Sequence, residues 1–248
     1  MQFQTIRHLL FFLLAVIFSI ALMFAFIELP TVVDNLLQEH FGFPGIDHGA
    51  DESSNYLAEM YIDALHLRWI GYTSLAIIIV FIILGFVTKK SGWAWAGAFT
   101  IFLPVFGQFA YSMFFLSGLG ILRTGWLPFM DISWNVLELG NVIYVPYRIL
   151  LGFFNLFGWY AHDFISWLFM GLGAFIFVWG LMEWFSTRFG RKGVAISSIY
   201  RISRHPQYLG WILWSYGFML FSAPLNDMKK SWGVSTSLPW LLMTMIII

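Results

Sequence analysis

Several apolar stretches of about 20 residues run through this chain, and they restrict its fold more than any motif. A stretch of that length crosses the hydrocarbon core of a bilayer as an α-helix. Apolar residues form 60% of the 248 and charged residues only 10%, whereas a soluble domain averages roughly 25% charged residues. We therefore predict an all-α fold, a polytopic transmembrane helical bundle with about five to seven membrane segments.

The hydropathy pattern predicts where these segments lie. They are expected at residues 8–29, 67–88, 93–122, 164–185, 206–221 and 238–248. Pro30 is expected to end the first of them, and Pro104 to kink the third. The polar residues 30–66 between the first two spans predict an outer loop.

Two other segments are less regular. Residues 133–160 are apolar on average but carry Asn135, Glu138 and Arg148, which predicts an interfacial or re-entrant segment. The final apolar run reaches Ile248 after only 11 residues from Leu238, about half the length of a span. That run is either a half-span or the beginning of a segment that has been cut, and truncation is the favoured interpretation.

The distribution of Lys and Arg predicts the orientation, because short cytoplasmic loops are enriched in these residues. If residues 133–160 do not cross, eight cations are cytoplasmic and five lie on or near the outer side. The cytoplasmic set is Arg7, Lys89, Lys90, Arg188, Arg191, Lys192, Arg201 and Arg204. If residues 133–160 cross, the five cations between Arg188 and Arg204 move outside. The non-crossing arrangement, with more cations inside, is favoured. We therefore predict an integral membrane protein, of the cell membrane in a prokaryote or of the endoplasmic reticulum in a eukaryote, with the segment around Arg201 and Arg204 facing the cytoplasm.

Composition also limits the partners. Thirteen Lys and Arg balance thirteen Asp and Glu, so a nucleic acid is not an expected partner. Cysteine is absent, which excludes disulfides, thiolate metal sites and thiol nucleophiles. His40, Asp47, His48, Asp51 and Glu52 could together suggest a metal site, but glycines and Pro44 nearby favour a solvated loop, and no metal is predicted.

The polar motif, residues 200–210 (YRISRHPQYLG), is a cationic segment between two apolar runs. Ionisable groups beside hydrocarbon are costly and usually functional, although Arg, Tyr and Trp also serve as plain interfacial anchors. Pro206 is suited to the first turn of a helix. Free backbone N–H groups there would favour an anion, with Arg201 and Arg204 adding charge and with aromatic faces nearby. A zwitterionic or nucleotide-like ligand fits this combination.

This motif resembles the signature of the isoprenylcysteine carboxyl methyltransferase family, which consists of integral-membrane enzymes related to phospholipid N-methyltransferases. The run Tyr200-Arg201-x-x-Arg204-His205-Pro206-x-Tyr208-x-Gly210 carries the resemblance, and the run from Trp211 to Gly217 is similar to the carboxyl methyltransferase branch. The strong similarity covers about residues 193–224. Ser198 stands where the family has glycine.

The resemblance implies an S-adenosylmethionine cofactor and a lipophilic or lipidated methyl acceptor, with membrane lipids as surroundings. The implied cofactor-binding residues are Gly193, Val194, Ala195, Tyr200, His205, Pro206, Gln207 and Tyr208. Arg201, Arg204 and Trp211 are the expected contacts for substrate or anion, and no catalytic residue is assigned. The division expected from the resemblance is an N-terminal membrane region at residues 1–160 and a methyltransferase-like core at 161–248, cut before a Glu-Glu motif.

Two other functions compete with the methyltransferase. Nicotinamide-dependent membrane reductases of a related fold have a similar signature, but they usually continue into Gly-Glu where this chain has Gly210-Trp211. A non-catalytic membrane scaffold or transporter is the other alternative. Inverted-repeat transporters carry paired interrupted segments, and no internal repeat is visible in this sequence.

Overall fold

The computed structural model describes residues 2–41, 63, 66, 68–102, 125, 127–189, 198–222 and 236–248, and regular structure in these residues is entirely helical. The α-helices are α1 (Gln2–Phe41), α2 (Arg68–Thr88), α3 (Ser91–Phe102), α4 (Leu127–Met130), α5 (Val145–Leu156), α6 (His162–Phe189), α7 (Pro206–Ser222) and α8 (Ser237–Ile247). Two 3₁₀ helices span Trp134–Tyr144 and Ser198–Arg201. The predicted all-α class is confirmed for these residues.

Within the described residues, three helical stretches are long and apolar enough to cross a membrane: Arg68–Thr88, Glu138–Leu156 and His162–Arg188. Leu9–Ala25 and Ser237–Ile247 are shorter apolar helices. Large apolar side chains point outward along α2, where Phe86 is 70% exposed and Val87 75%. Such a surface is favourable in contact with lipid and unfavourable in water.

Helix α1 corrects one sequence prediction. It continues through Pro30 to Phe41, so the prediction that Pro30 ends the first helix is wrong, and the outer loop begins later than residue 30. A proline removes only one backbone donor, and the helical segments on both sides of Pro30 can offset that loss. Residues 42–62 of the expected loop lie outside the described residues.

The other boundaries agree closely where they are described. The segment predicted at 67–88 is α2 and the segment predicted at 164–185 lies inside α6, and both are long and apolar enough to cross a membrane. The segment predicted at 206–221 coincides with α7, and its crossing of a membrane stays a prediction. Residues 133–160 form the Trp134–Tyr144 3₁₀ helix and α5, and their interfacial or re-entrant placement stays a prediction. The third predicted span begins in α3, while residues 103–124, including Pro104, lie outside the described residues.

The chain divides into two compact units. The motif unit contains residues up to Phe26 together with His162–Phe221, and the second unit contains Ile27–Ala161 and Ser222–Ile248. The motif unit is therefore assembled from two separate parts of the chain. The functional division at residue 160 that the resemblance implies stays a prediction.

The second unit is built around the α2–α3 hairpin. Phe81 and Trp93 place their ring centroids 5.5 Å apart across the hairpin, and α8 packs on both α3 and the Trp134–Tyr144 3₁₀ helix. At the start of α2, Arg68 pairs with Asp131 and lies 3.0 Å from a carboxylate oxygen of Asp63. These exposed ion pairs connect the beginning of α2 to the end of α4.

In the motif unit, α6 and α7 pack antiparallel at very short range. A methyl group built on Gly173 would overlap the backbone of Trp214, and one built on Gly210 would overlap the backbone of Phe177. Gly217 approaches Met170 in the same way. Only glycine allows two helix backbones to come this close. The contact brings the beginning of α7, and with it the polar motif, against the carboxyl-terminal half of α6.

Candidate functional site

The polar motif leads from the Ser198–Arg201 3₁₀ helix into α7. The backbone N–H groups of Ile202 and Ser203 donate to the carbonyl of Ile199, at 3.0 and 3.2 Å. The N–H of His205 then donates to Ser203 Oγ at 3.3 Å, and Pro206 begins the helix. The prediction that Pro206 stands in the first turn of a helix is confirmed, because its missing N–H has no helical partner to lose there.

A short hydrogen-bond chain joins the motif to α6. Gln207 Nε2 donates to Tyr200 Oη at 2.5 Å, and Tyr200 Oη donates to the carbonyl oxygen of Gly180 at 3.2 Å. Gly180 also lies close to the helix start, since a methyl group built on it would be 3.4 Å from the backbone nitrogen of Gln207. These contacts hold the start of α7 and the 3₁₀ helix on the same part of α6.

The phenol of Tyr200 keeps its proton in this setting. Burial raises its pKa, the hydrogen bond from Gln207 opposes the rise, and the nearby carboxylate of Glu183 adds to it. A neutral phenol continues to donate to the Gly180 carbonyl at physiological pH, because the ordinary tyrosine pKa is already about 10.

Replacing Tyr200 with phenylalanine should lower the free energy of unfolding by about 1–2 kcal/mol, since the Gly180 carbonyl and the Gln207 amide each lose a partner. Because the folded-state pKa is raised, the protonated phenol contributes fully below about pH 10, and its contribution falls only as pH rises through the raised value. Unfolding of both proteins in detergent at pH 7 and 9 should give the same difference. A difference that shrinks by pH 9 would contradict this protonation state.

Glu183 is the residue of this site that the sequence interpretation missed. It lies on α6, one turn beyond Gly180, and its side chain is 7% exposed. Its charge acts on Tyr200, so the carboxylate is near the hydrogen-bond chain. A buried acid inside an apolar helix is costly and usually has a function. Applied to the apolar run of α6, that rule would have pointed to Glu183 from the sequence alone.

One polar atom of the Gln207 side chain takes no part in this hydrogen-bond chain. Its side-chain oxygen, Oε1, is buried and has no hydrogen-bond partner among the residues that the structure describes. The single proton of Tyr200 goes to Gly180, so the amide must turn its nitrogen toward the phenol and its oxygen away from it. A buried acceptor without a donor costs about 1–3 kcal/mol, and a bound ligand that supplies a donor would remove that cost.

The remaining polar side chains of the motif face outward. Arg201, Arg204 and His205 are exposed, and no ion pair involves either arginine within the described part of the chain. The rings of His205 and Tyr208 are stacked, with centroids 5.2 Å apart and planes 17° from parallel. The segment thus offers two exposed cations and one aromatic pair to a ligand.

Trp211 is buried, unlike the exposed arginines of the motif. It is 8% exposed and contacts Trp214, at a centroid distance of 4.9 Å, and Phe177, at 6.2 Å. With Leu22 and Ala174 these rings line a small apolar cavity of about 180 Å³. Contact between Trp211 and a substrate stays a prediction. In the structure the Trp211 side chain belongs to the contact between α6 and α7.

An apolar groove of about 410 Å³ lies beside the motif, between α6, the Ser198–Arg201 3₁₀ helix and the start of α7. Its lining residues are Leu172, Phe175, Ile176, Trp179, Ile199, Ile202, Ser203, Pro206 and Leu209. Among these described residues Ser203 carries the one hydroxyl group. Volumes of about 300–1,000 Å³ are typical of small-molecule sites, and this lining suits a hydrocarbon ligand.

Three of the implied cofactor residues, Gly193, Val194 and Ala195, lie outside the described residues. The other five, Tyr200, His205, Pro206, Gln207 and Tyr208, belong to one short segment that the structure brings against α6. Within the described residues no group of three His, Asp or Glu side chains is arranged to hold a metal ion.

Comparison with known proteins gave no relationship on which to rest a function. No protein-family model, no curated protein and no solved structure matches this chain.

Proposed function

We propose that this protein is an integral-membrane methyltransferase that transfers a methyl group from S-adenosylmethionine to a lipophilic acceptor, such as a prenylcysteine-like carboxylate. The proposal includes a polytopic bundle of about five to seven membrane segments, with the motif facing the cytoplasm. One observation carries it: a polar cluster and an apolar groove meet at the start of α7. Ser203 and Pro206 line the groove, and Gln207 belongs to the cluster.

The side chains of the motif match the parts of S-adenosylmethionine. The cofactor has an aromatic base, hydroxyl groups, and an amino-acid part with one carboxylate and one ammonium. Arg201 and Arg204 supply cations for a carboxylate. The stacked rings of His205 and Tyr208 offer an aromatic surface, and the unsatisfied oxygen of Gln207 accepts a donor. This donor and acceptor set fits the cofactor.

When bound, S-adenosylmethionine would supply a methyl group that is already activated by its sulfonium, and the sulfur would leave as a neutral thioether. An ionised carboxylate acceptor has no proton to remove, so no side chain is assigned as a general base. The protein's contribution is to hold both reactants in line and exclude water, which can supply about 7–11 kcal/mol of the barrier. The groove orients the hydrocarbon part of the acceptor, and the motif holds the cofactor.

Isothermal titration of the purified protein in detergent micelles should detect binding of S-adenosylmethionine and no comparable binding of NADPH. Arg201 and Arg204 would suit either ligand, since arginine binds carboxylates and phosphates alike. The expected preference rests instead on Gly210-Trp211, where the membrane reductases that the motif resembles usually continue into Gly-Glu. A membrane reductase would show the reverse preference. Binding of NADPH alone would therefore overturn the proposal in favour of a reductase, and binding of neither would leave a non-catalytic membrane protein.

A further inference from the structure

We propose that Trp179 is a specificity-determining residue, which keeps the apolar groove wide enough for one hydrocarbon chain and so excludes acceptors with two chains. The occupant of the groove is then the single chain of an amphiphile whose head group lies beside the polar motif. This inference rests on the proposed function, in which the groove orients the hydrocarbon part of the acceptor, and it narrows that acceptor to one class.

An aromatic wall forms one side of the groove. Phe175 and Trp179 line it one turn apart on α6, so their side chains share a face of the helix. Their rings meet edge to face, with centroids 5.1 Å apart. Phe12 of α1 contacts both rings, with its centroid 5.4 Å from that of Phe175 and 6.1 Å from that of Trp179. Because each ring meets the other two in a geometry that aromatic pairs prefer, neither lining ring can turn away from the groove without losing contacts.

The other side of the groove comes from the Ser198–Arg201 3₁₀ helix and the start of α7. Its members Ile199 and Pro206 are buried. A methyl group built on Gly180 would lie 3.1 Å from Cγ of Pro206, so the helix start is packed on the backbone of α6 and a wider groove would require α7 to move away. At about 410 Å³, the groove is near the lower end of the range of about 300–1,000 Å³ for small-molecule sites. That volume suits one chain rather than two chains side by side.

The two ends of the groove give the bound chain a direction. The α6 side runs from Leu172 to Trp179, which is about 10 Å along the helix axis. Trp179 precedes Gly180, whose carbonyl accepts the hydrogen bond from Tyr200 of the motif, so this end adjoins the polar motif. Leu172 lies at the opposite end and is 47% exposed. A chain therefore lies with its head at the motif and its tail directed past Leu172.

Charge identifies the head group. Ile202 and Ser203 line the groove at its motif end, and Arg201 and Arg204 flank them in the chain, each one Cα step of about 3.8 Å away. Both arginines are exposed, so an anionic head group fits beside them. A second chain on the same molecule would branch near that head group, where it would meet the ring of Trp179.

The first experiment compares two competitors on the wild-type protein in detergent micelles. The probe is palmitate with a photoactivatable diazirine in mid-chain, and the competitors are palmitate and a carboxylate that carries a second alkyl chain on its α-carbon. We expect palmitate to displace the probe at a concentration at least about tenfold lower, because extra methylenes have no room against a fixed wall. Displaceable labelling should map to residues 172–179 and 199–209, which contain the lining of the groove.

Equal displacement by the two competitors, or displaceable labelling confined to other segments, would overturn the inference and leave the methyltransferase proposal intact. Titration with S-adenosylmethionine tests that proposal separately. A wild-type protein that does not bind the cofactor would overturn both, because Trp179 would then have no methyl acceptor to select.

The second experiment assigns the effect to the indole ring. Trp179→Ala should bring the two competitors to within about threefold of each other, since the second chain gains the space that the ring occupied. Trp184→Ala is the matched control, because Trp184 also stands on α6, is 41% exposed and does not line the groove. It should preserve the tenfold difference. A Trp179→Ala protein that still discriminates tenfold would overturn the assignment.

Phe12→Ala tests the same wall without changing a lining residue, and it serves if Trp179→Ala does not fold. Phe12 is 43% exposed and contacts both Phe175 and Trp179, so its removal lets the two lining rings move apart. The difference between the competitors should again fall to about threefold. An unchanged difference in a folded Phe12→Ala protein would contradict the proposed role of the aromatic wall.

Discussion

Gly173→Leu should prevent α6 and α7 from packing as they do, lowering the free energy of unfolding by at least about 3 kcal/mol. Overpacking a close contact normally costs about 1–3 kcal/mol, and here the added side chain would meet the backbone of Trp214 rather than a movable side chain. The backbone of Gly210 on the same helix lies within the same contact. The helices would have to separate, and the motif would lose its position against α6.

Thermal or denaturant unfolding in detergent measures this effect, with the circular dichroism of the helices as signal. Gly152→Leu is the matched control: Gly152 is also inside a helix, and a methyl group built there meets nothing within 4 Å. That variant should be neutral or slightly stabilising, because glycine is a poor helix former. Equal stability of the two leucine variants would contradict the close α6–α7 contact.

The double variant His205→Ala/Tyr208→Ala should bind S-adenosylmethionine about 10- to 100-fold more weakly while unfolding at nearly the wild-type temperature. The two rings stack on each other at 5.2 Å. His205 is exposed and Tyr208 half-buried, so their removal leaves no large cavity in the α6–α7 contact. Loss of an aromatic surface and of one or two hydrogen bonds to ligand accounts for the expected range.

Isothermal titration gives the affinity and a melting curve gives the stability of the same preparation. Tyr160→Ala serves as a control, since Tyr160 is an exposed aromatic residue of the second unit, 62% accessible. It should bind the cofactor with wild-type affinity. If the double variant keeps wild-type affinity, the motif is not the cofactor site, even if the protein binds the cofactor elsewhere.

Some local elements were predictable because they depend on short-range rules. The apolar run at 67–88 predicted α2 within one residue, and Pro206 predicted the start of α7. Both follow from properties of the chain itself, namely hydropathy over one span length and the missing N–H of proline. Pro30 shows the limit of the same rule, because α1 continues through it. A single proline inside a long helix is a local cost that the residues on both sides can offset.

The candidate site was predictable only in part. The motif residues Tyr200, His205, Gln207 and Tyr208 are neighbours along the chain, so sequence order alone placed them together. Glu183 is separated from Tyr200 by 17 positions and stands in an apolar helix. Its place in the site depends on how α6 and α7 pack, and a single sequence contains no direct signal for that packing.

The apolar spans by themselves determined that the described chain is helical and that long helices expose apolar surface, because hydropathy and helix length are local properties. The tertiary structure alone decided which atoms of the motif remain available to a ligand. Tyr200 and Gln207 use up their donors through contacts with each other and with Gly180. Those contacts depend on the short distance between α6 and α7. The unsatisfied side-chain oxygen of Gln207 is therefore a consequence of packing, whereas the cations of the same segment were visible in the sequence.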